Sequence, residues 1–409
     1  MNAQHPIHLR RGFSLVELLV AVALGMLLVI AMTYAYLSSK TAFSRQQQLS
    51  SIQQSVRVAF DYLSGDARMV GHMGCFSGQA TPSTCSGTFC NPLSASDLAT
   101  NFAVGIEGYE YKNDEADKYT LSAKVPADVT EPLKWETNVG GGINAIPLAT
   151  IAGIGNGLTP GSDVLVIRTT EGRPVRLTDS ANTGSGQKTF TIESDSQAAE
   201  LCADRSTTKV SGFCAGSYGL IASCSQARVF KVGTIAGTSP STITLADGAS
   251  LGNDPVYKPA ASEVFTMRTL VYYVKRSSSG RTTSLYRRVF DGNSADGIEQ
   301  ELIEGVENLQ VRYGVDTLPA GTPDGAVDLY VPAKGAKGDA TDSVTDWSKV
   351  VAIRVALLLR SIDPVEPGLT VRTSSVVNGV TITYPSSSPQ YDRRVFTTTV
   401  ALRNRIAYF

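Results

Sequence analysis

The chain has little to do chemistry with. Only three histidines occur in 409 residues, His5, His8 and His72, and the first two sit in the opening ten. A Ser-His-Asp triad would have to be built on His72, and no G-x-S-x-G elbow supports one. No C-x2-C pair is present, which argues against a structural zinc site. The glycine-rich stretch Gly153-Ile154-Gly155-Asn156-Gly157 lacks the helix pattern and acidic residue that a dinucleotide site would place after it. A charge excess is missing too: 36 Lys and Arg stand against 37 Asp and Glu, so no broad basic surplus points to nucleic acid, although a local basic patch stays open. These absences point away from an enzyme, from a resident cofactor and from nucleic acid as the main partner. No repeat of 20–50 residues is visible, which excludes a solenoid.

Two further absences are positional. No proline falls between Gly12 and Pro82, and no glycine between Gly25 and Gly65. The two residues that most readily break helices are therefore missing where a long helix would need them to be. From Leu18 to Leu37 run twenty uncharged, mostly apolar residues, enough to span a bilayer as one helix. After Leu37 the pattern becomes amphipathic. Phe43, Leu49, Ile52, Val56, Phe60 and Leu63 recur mostly at three or four residues, with Gln and Arg between. The spacing predicts one helix in two regimes, roughly 80 Å long from Phe13 to Ser64 at 1.5 Å per residue. Its amphipathic half is expected to lie across the chain's own sheet.

The apolar run is preceded by Arg10-Arg11-Gly12 and Phe13-Ser14-Leu15-Val16-Glu17. A secretory signal has a shorter apolar core ending in a small-residue cleavage site, and no A-x-A follows here. A plain anchor accounts for the arginines by the positive-inside rule but not for Glu17. An ionised side chain at the centre of a bilayer costs roughly 2.5–3.5 kcal/mol on the mildest scale, so this carboxylate calls for a function.

GFSLVELLVAVALGMLL resembles the prepilin signature of the type IV filament superfamily, which holds type IV pilins and type II secretion pseudopilins. The resemblance implies cleavage by a prepilin peptidase between Gly12 and Phe13 and N-methylation of Phe13. It also implies that Glu17, fifth residue of the mature chain, faces the N-terminal amine of a neighbouring subunit. Opposite charges in an apolar bundle offset each other's desolvation, giving register more surely than stability. Loss of residues 1–12, which carry Arg10, Arg11 and no acid, takes the formal charge from −1 to −3.

The six cysteines form two clusters, Cys75, Cys85, Cys90 and Cys202, Cys214, Cys224. With the arginines held in the cytoplasm, both clusters lie in the periplasm, where disulfides persist. Each cluster is odd in number, so full pairing requires at least one bridge between them; local pairing would leave two thiols free. The connectivity stays open.

Past a Cys-, Ser- and Gly-rich loop at 74–101, short β-like runs dominate. They fall at 163–168, 188–193, 228–232, 242–245, 264–274, 284–290, 306–315, 350–359 and 394–402, with loops expected at 138–160, 181–187, 235–255, 318–345 and 376–392. One long helix followed only by strands implies an α+β fold: a transmembrane then amphipathic helix packed on an antiparallel β-sheet head, pilin-like, with β-rich insertions. The expected division is a leader at 1–12, a membrane or filament-core segment at 13–37, the amphipathic continuation at 38–72 and a β-rich head at 73–409. An insertion subdomain is expected at about 140–255.

Three features of the head invite a functional reading. Asp291–Gly297 resembles an EF-hand loop, but Ala295 holds its fifth position and Leu302 its twelfth, so a hairpin turn with Asx chemistry is the better account. Asp316, Asp324 and Asp328 have the chemistry to bind calcium, although Asp/Pro/Gly loops are commonly just solvated turns. Arg393, Arg394, Arg403 and Arg405 flank the last strand, where they protect an edge or meet an acidic neighbour or DNA.

Further stretches resemble the PilW family of type IV pilus minor pilins. They are AVGIEGYE (103–110), GSDVLVIR (161–168), SCSQARVFKV (223–232), GVENLQVRYGVD (305–316), VDLYV (327–331), VVAIRVALLLRS (350–361) and RRVFTTTVALRNR (393–405). The block 305–361 is shared loosely with the J-type minor pseudopilin of type II secretion, the alternative reading; a tip adhesin or DNA-uptake subunit on the same scaffold is another. The resemblance implies a structural subunit that starts and caps a pilus. Its partners would be other minor pilins, the major pilin, a tip-associated adhesin and the prepilin peptidase. The chain would sit in the bacterial inner membrane as a single-pass protein with a periplasmic head, then in the pilus fibre.

Intact mass and N-terminal sequencing of the chain from its native membrane are expected to give an N-methylated start at Phe13. A start at Met1 in peptidase-competent cells, or one near Ser38, would remove the filament reading.

Overall fold

The computed structural model describes residues 14–76, 88–93, 97–111, 117–122, 135–139, 142–145, 158–181, 186–193, 200–202, 207–237, 240–246, 251, 257–259, 261–294, 296–317, 324–335, 340–365, 371–386 and 389–405. The chain forms two compact units, residues 1–51 and 52–409.

Helix α1 runs from Leu15 to Arg68, unbroken over 54 residues. In its last five turns Ile52, Val56, Ala59, Leu63 and Ala67 are buried. Their spacing of three and four residues puts them on one face, which packs into the main core. The expected stripe is only partly this one. Phe43 is 69% exposed and lies in the first unit, and the small Ala59 and Ala67 occupy the buried face instead. Alanine there lets the helix backbone approach the sheet closely. The helix ends as Gly71 takes a φ of 67°, open to glycine at no steric cost.

The strands that follow are β1 (Phe89–Cys90), β2 (Ile106–Tyr111), β3 (Lys118–Thr120), β4 (Trp135–Val139), β5 (Gly142–Ala145), β6 (Val164–Arg176), β7 (Thr189–Ile192), β8 (Tyr218–Ser223), β9 (Ala227–Ala236) and β10 (Ser241–Leu245). They continue as β11 (Ser262–Arg276), β12 (Thr283–Phe290), β13 (Ile298–Glu304), β14 (Val306–Val315), β15 (Leu329–Val331), β16 (Val350–Arg360), β17 (Ser374–Val377), β18 (Val380–Thr383) and β19 (Arg393–Ala401). All nine expected strands are present. The loop expected at 138–160 instead carries the end of β4 and β5. The loop at 376–392 carries the hairpin β17–β18, turned on Asn378 and Gly379 at φ 46° and 95°.

Twelve strands form one sheet in the order β5-β4-β2-β6-β11-β8-β9-β10-β7, with β12 and β13 continuing from β11 and β1 beside β9. The 15-residue β11 is its axis. One side pairs with β6; along the other, β8 takes its first half and β12 its second. A second sheet has the order β15-β14-β16-β19, and a third β17-β18-β3. Pairing is antiparallel except at β1–β9 and β18–β3.

The long strands read as apolar runs because both faces are covered. Along β6, Leu165 and Ile167 face the core under α1, while Val164 and Val166 face a second cluster with Tyr109, Trp135, Tyr273 and Tyr286. Along β16, Ile353, Val355, Leu357 and Leu359 join α1, and Ala356 and Leu358 meet the third sheet. Residues from Leu177 to Val264 enclose a separate cluster around Phe190, Phe213, Phe230 and Tyr257. That cluster falls largely within the insertion span.

Two disulfides are described. Cys75–Cys224 joins the two cysteine clusters across 149 residues and ties the segment after α1 to the β8–β9 turn; Cys202–Cys214 spans 12 residues between β7 and β8. Cys90 is also disulfide-bonded, and no described cysteine is free. Cys85 lies outside the described residues.

Truncation at the helix–sheet contact tests this packing. Leu63→Ala removes a fully buried side chain and is expected to cost about 2–5 kcal/mol of unfolding free energy. Val58→Ala, on the same helix but 45% exposed, is expected to stay within about 0.5 kcal/mol. Equal losses in denaturant titrations would contradict the assigned face.

Candidate functional site: the apolar helix and its mooring

The site read from sequence begins at Gly12 and Phe13, both outside the described residues. Helix α1 is already formed just after them, with Leu18 N–H donating to Ser14 O at 3.1 Å. Glu17 lies exposed in the first turn, where the aligned peptide dipoles favour a negative charge by about 0.3–1 kcal/mol. Every large apolar side chain from Leu15 to Leu37 is exposed, Leu15 at 75% and Tyr34 at 73%. The most apolar eighteen-residue window of the helix has a mean hydropathy of 2.7 and none of it is buried. The helix is long and apolar enough to cross a membrane.

The other end of α1 is held by charge. Asp66 accepts from Arg287 Nη1 at 2.9 Å and from the Tyr272 hydroxyl, and lies 3.5 Å from Arg268. Arg268 also pairs with Glu171 at 2.6 Å, and Arg287 stacks over Tyr62 at 5.1 Å. Burial, reinforced by the adjoining Asp66 charge, pushes the Tyr272 hydroxyl far up, so it stays a donor. The exit from the helix is bonded as well. Thr169 donates its hydroxyl to Met69 O at 2.7 Å, Gly71 N–H donates to Arg168 O, and Asn404 Nδ2 reaches Arg68 O and Val70 O at 3.2 and 3.3 Å. The last turn of α1 is thus tied to β6, β11, β12 and the residues just after β19.

Sequence reasoning missed this cluster, although one signal was available. An acid in the last turn of a helix opposes the dipole, so Asp66 needed a partner elsewhere. Arg168 and Glu107 carried a similar signal, being charges inside apolar strands. They form a buried pair at 2.9 Å, with Arg168 also donating to Leu98 O and Val104 O.

The remaining sequence candidates fall apart in space. His72 Nδ1 lies 2.9 Å from Thr170 Oγ1 and its ring meets the edge of Phe265; burial lowers its pKa, opposed by Glu263. Arg393 is buried rather than surface-lying: it pairs with Glu307 at 2.7 Å and lies over the Tyr384 ring at 4.8 Å. Arg360 shares that glutamate at 3.7 Å. Only Arg394, paired with Asp392, and Arg403 are described as exposed; the Arg405 side chain lies outside the described residues. Asp291 Oδ1 accepts from Asn293 N–H in the β12–β13 hairpin, an Asx turn.

Asp316, Asp324 and Asp328 accept from the amides of Gly325, Ala326 and Thr317 at 2.7, 2.8 and 2.7 Å. Residues 318–323 between them lie outside the described residues, and no metal-binding group of three or more His, Cys, Asp or Glu occurs among the described residues.

Two segments match known families. Residues 7–33 match the prokaryotic N-terminal methylation motif. Residues 271–404 match the family model of type IV pilus-assembly protein W, PilW. The second match takes in Tyr272 and Arg287 of the mooring and all of the second sheet. Comparison with curated proteins and with solved structures gave no match.

Asp66→Ala would leave Arg268 and Arg287 without a shared carboxylate and is expected to cost about 1–3 kcal/mol. Arg394→Ala, at an exposed pair, is expected to stay within about 0.5 kcal/mol. Denaturant titration of the full chain in detergent checks both; indifference to Asp66→Ala would mean that apolar contact alone seats the helix.

Proposed function

We propose that this chain, a type IV pilus minor pilin of the PilW family, helps to initiate and cap the pilus, with its head at or near the tip. One observation carries the reading: the methylation motif and the PilW segment occur on one chain, whose helix α1 leaves its apolar residues exposed from Leu15 to Leu37. In this reading Arg10 and Arg11 hold the leader in the cytoplasm while the apolar helix inserts in the inner membrane. Cleavage after Gly12 exposes the Phe13 amine. Glu17 then pairs with an amine on a neighbouring helix as subunits leave the membrane. The head is too bulky to repeat along a tightly packed shaft, which favours the tip. Other minor pilins, the major pilin and a tip adhesin are the partners this role requires.

Replacing the chromosomal copy with Glu17→Ala tests the assembly step. Phe13 processing is expected to persist, while the variant chain is lost from sheared filaments and surface pili become fewer. Normal piliation together with a secretion defect would transfer the chain to the pseudopilus. Normal incorporation of the variant would remove Glu17 from assembly.

A further inference from the structure

Glu110, near the end of β2, stands in a row of carboxylates. Across β4 its partner is Glu136. Across β6, the register that sets Tyr109 opposite Val164 sets Glu110 opposite Asp163, one residue before the strand. Directly opposed residues on one sheet face have Cβ atoms about 4.5–5.5 Å apart, where like charges repel.

Neither carboxylate of the Glu110–Asp163 pair is fully satisfied. Asp163 is 3% exposed. Its Oδ2 accepts from Val311 N–H of β14 at 2.8 Å and the Tyr111 amide also supports the carboxylate, but Oδ1 is buried without a hydrogen-bond partner among the described residues. The Ala333 amide supports Glu110, yet Glu110 Oε2 is likewise buried and unpartnered. Two bare acceptors side by side can be satisfied by one proton: protonating either carboxyl turns it into the donor the other lacks.

The surrounding charge argues the same way. Arg312 of β14 supplies the positive charge that acts on the pair. It is also drawn to Asp117 at 3.6 Å and donates to Asn378 O. Glu107, three residues before Glu110 and so on the other face of β2, is already held by Arg168. The Tyr313 hydroxyl, against Gly108 on the face of Glu110, is buried and neutral. One arginine therefore faces Glu110, Asp163 and Asp117, with Glu136 alongside.

We propose that Glu110 and Asp163 share a single proton in the folded head, forming a carboxyl–carboxylate hydrogen bond that clasps β2 and β6 together beneath β14. Burial, more than any neighbour, pushes Asp163 up to about 7 and Glu110 well above the usual carboxylate range, and the two titrate as a unit. The sign follows from linkage: the folded chain holds a proton that the unfolded chain releases near pH 4, so the contribution is complete at low pH. It is lost as pH rises through about 7. Loosening the clasp at alkaline pH weakens the joint between the first and second sheets. Gly108 keeps that joint close, because a Cβ there would meet the Tyr313 hydroxyl at 1.7 Å.

The test uses the full chain in detergent micelles, with Asp163→Asn and Glu110→Gln as isosteric replacements that supply an amide donor in place of the shared proton. The wild type is expected to lose thermal stability between about pH 5 and pH 8, while both variants show a flatter profile and overtake it at the alkaline end. Infrared spectra at about pH 6 should contain a protonated-carboxyl band that disappears in Asp163→Asn. Absence of that band, or variants as pH-sensitive as the wild type, would overturn the proposal. Saturable stabilisation of the wild type by added calcium at about pH 6 would overturn it too, by placing a cation where the proton is assigned.

Discussion

The structure of the head depends on the seating of the amphipathic half of α1. Ile52, Val56, Ala59, Leu63 and Ala67 fill the space over β6, β11, β14 and β16, and the same core holds Tyr313, Trp347 and Val400. Strands from both large sheets share that one apolar volume, so it orders them together. Hydrophobic contact is non-directional, however, and does not specify where along the sheet a smooth helix stops. Asp66 supplies that information. Its carboxylate, fixed by Arg287, Arg268 and Tyr272, sets register and rotation in the last turn, and Asn404 closes the carbonyl end of the helix.

Charge inside the head follows one pattern. Arg168 with Glu107, Arg393 and Arg360 with Glu307, and Arg312 with its row of acids each sit where strands of different sequence origin meet. Buried pairs of this sort contribute less to net stability than to uniqueness, because any other register leaves a charge unpaired in an apolar setting. In a body of three sheets and many Val, Ile, Thr and Tyr residues, alternative pairings are the main hazard. The paired charges penalise them. The Glu110–Asp163 pair is the exception, since the arginine beside it is shared and a proton makes up the difference.

Much of the architecture was legible in the chain. The missing prolines and glycines marked one long helix, and the long strands announced themselves as apolar runs. What escaped was short or polar. Residues 376–392 looked like a Ser/Pro loop, yet Asn378-Gly379 is a strong local hairpin signal and turns β17 into β18. The pairing of β3 with β18 joins residues more than 260 positions apart, which no local pattern encodes. The arginines around the last strand looked alike in sequence. Register alone separates Arg393, turned inward to Glu307, from Arg394, turned outward beside it.

The sequence by itself determined the apolar segment, the position of Glu17, the processing signature and the odd cysteine clusters that allow full pairing only through a cross-link. These are local properties, set by composition and by spacing along one helix. Only the tertiary structure decided that Cys75 meets Cys224, that Asp66 ties the last turn of the helix to Arg268 and Arg287, and that Glu110 and Asp163 stand side by side. Each of those pairings brings distant residues together through helix–sheet packing or strand register. Register is settled by the simultaneous burial of both sheet faces, a condition that no single stretch of the chain can meet alone.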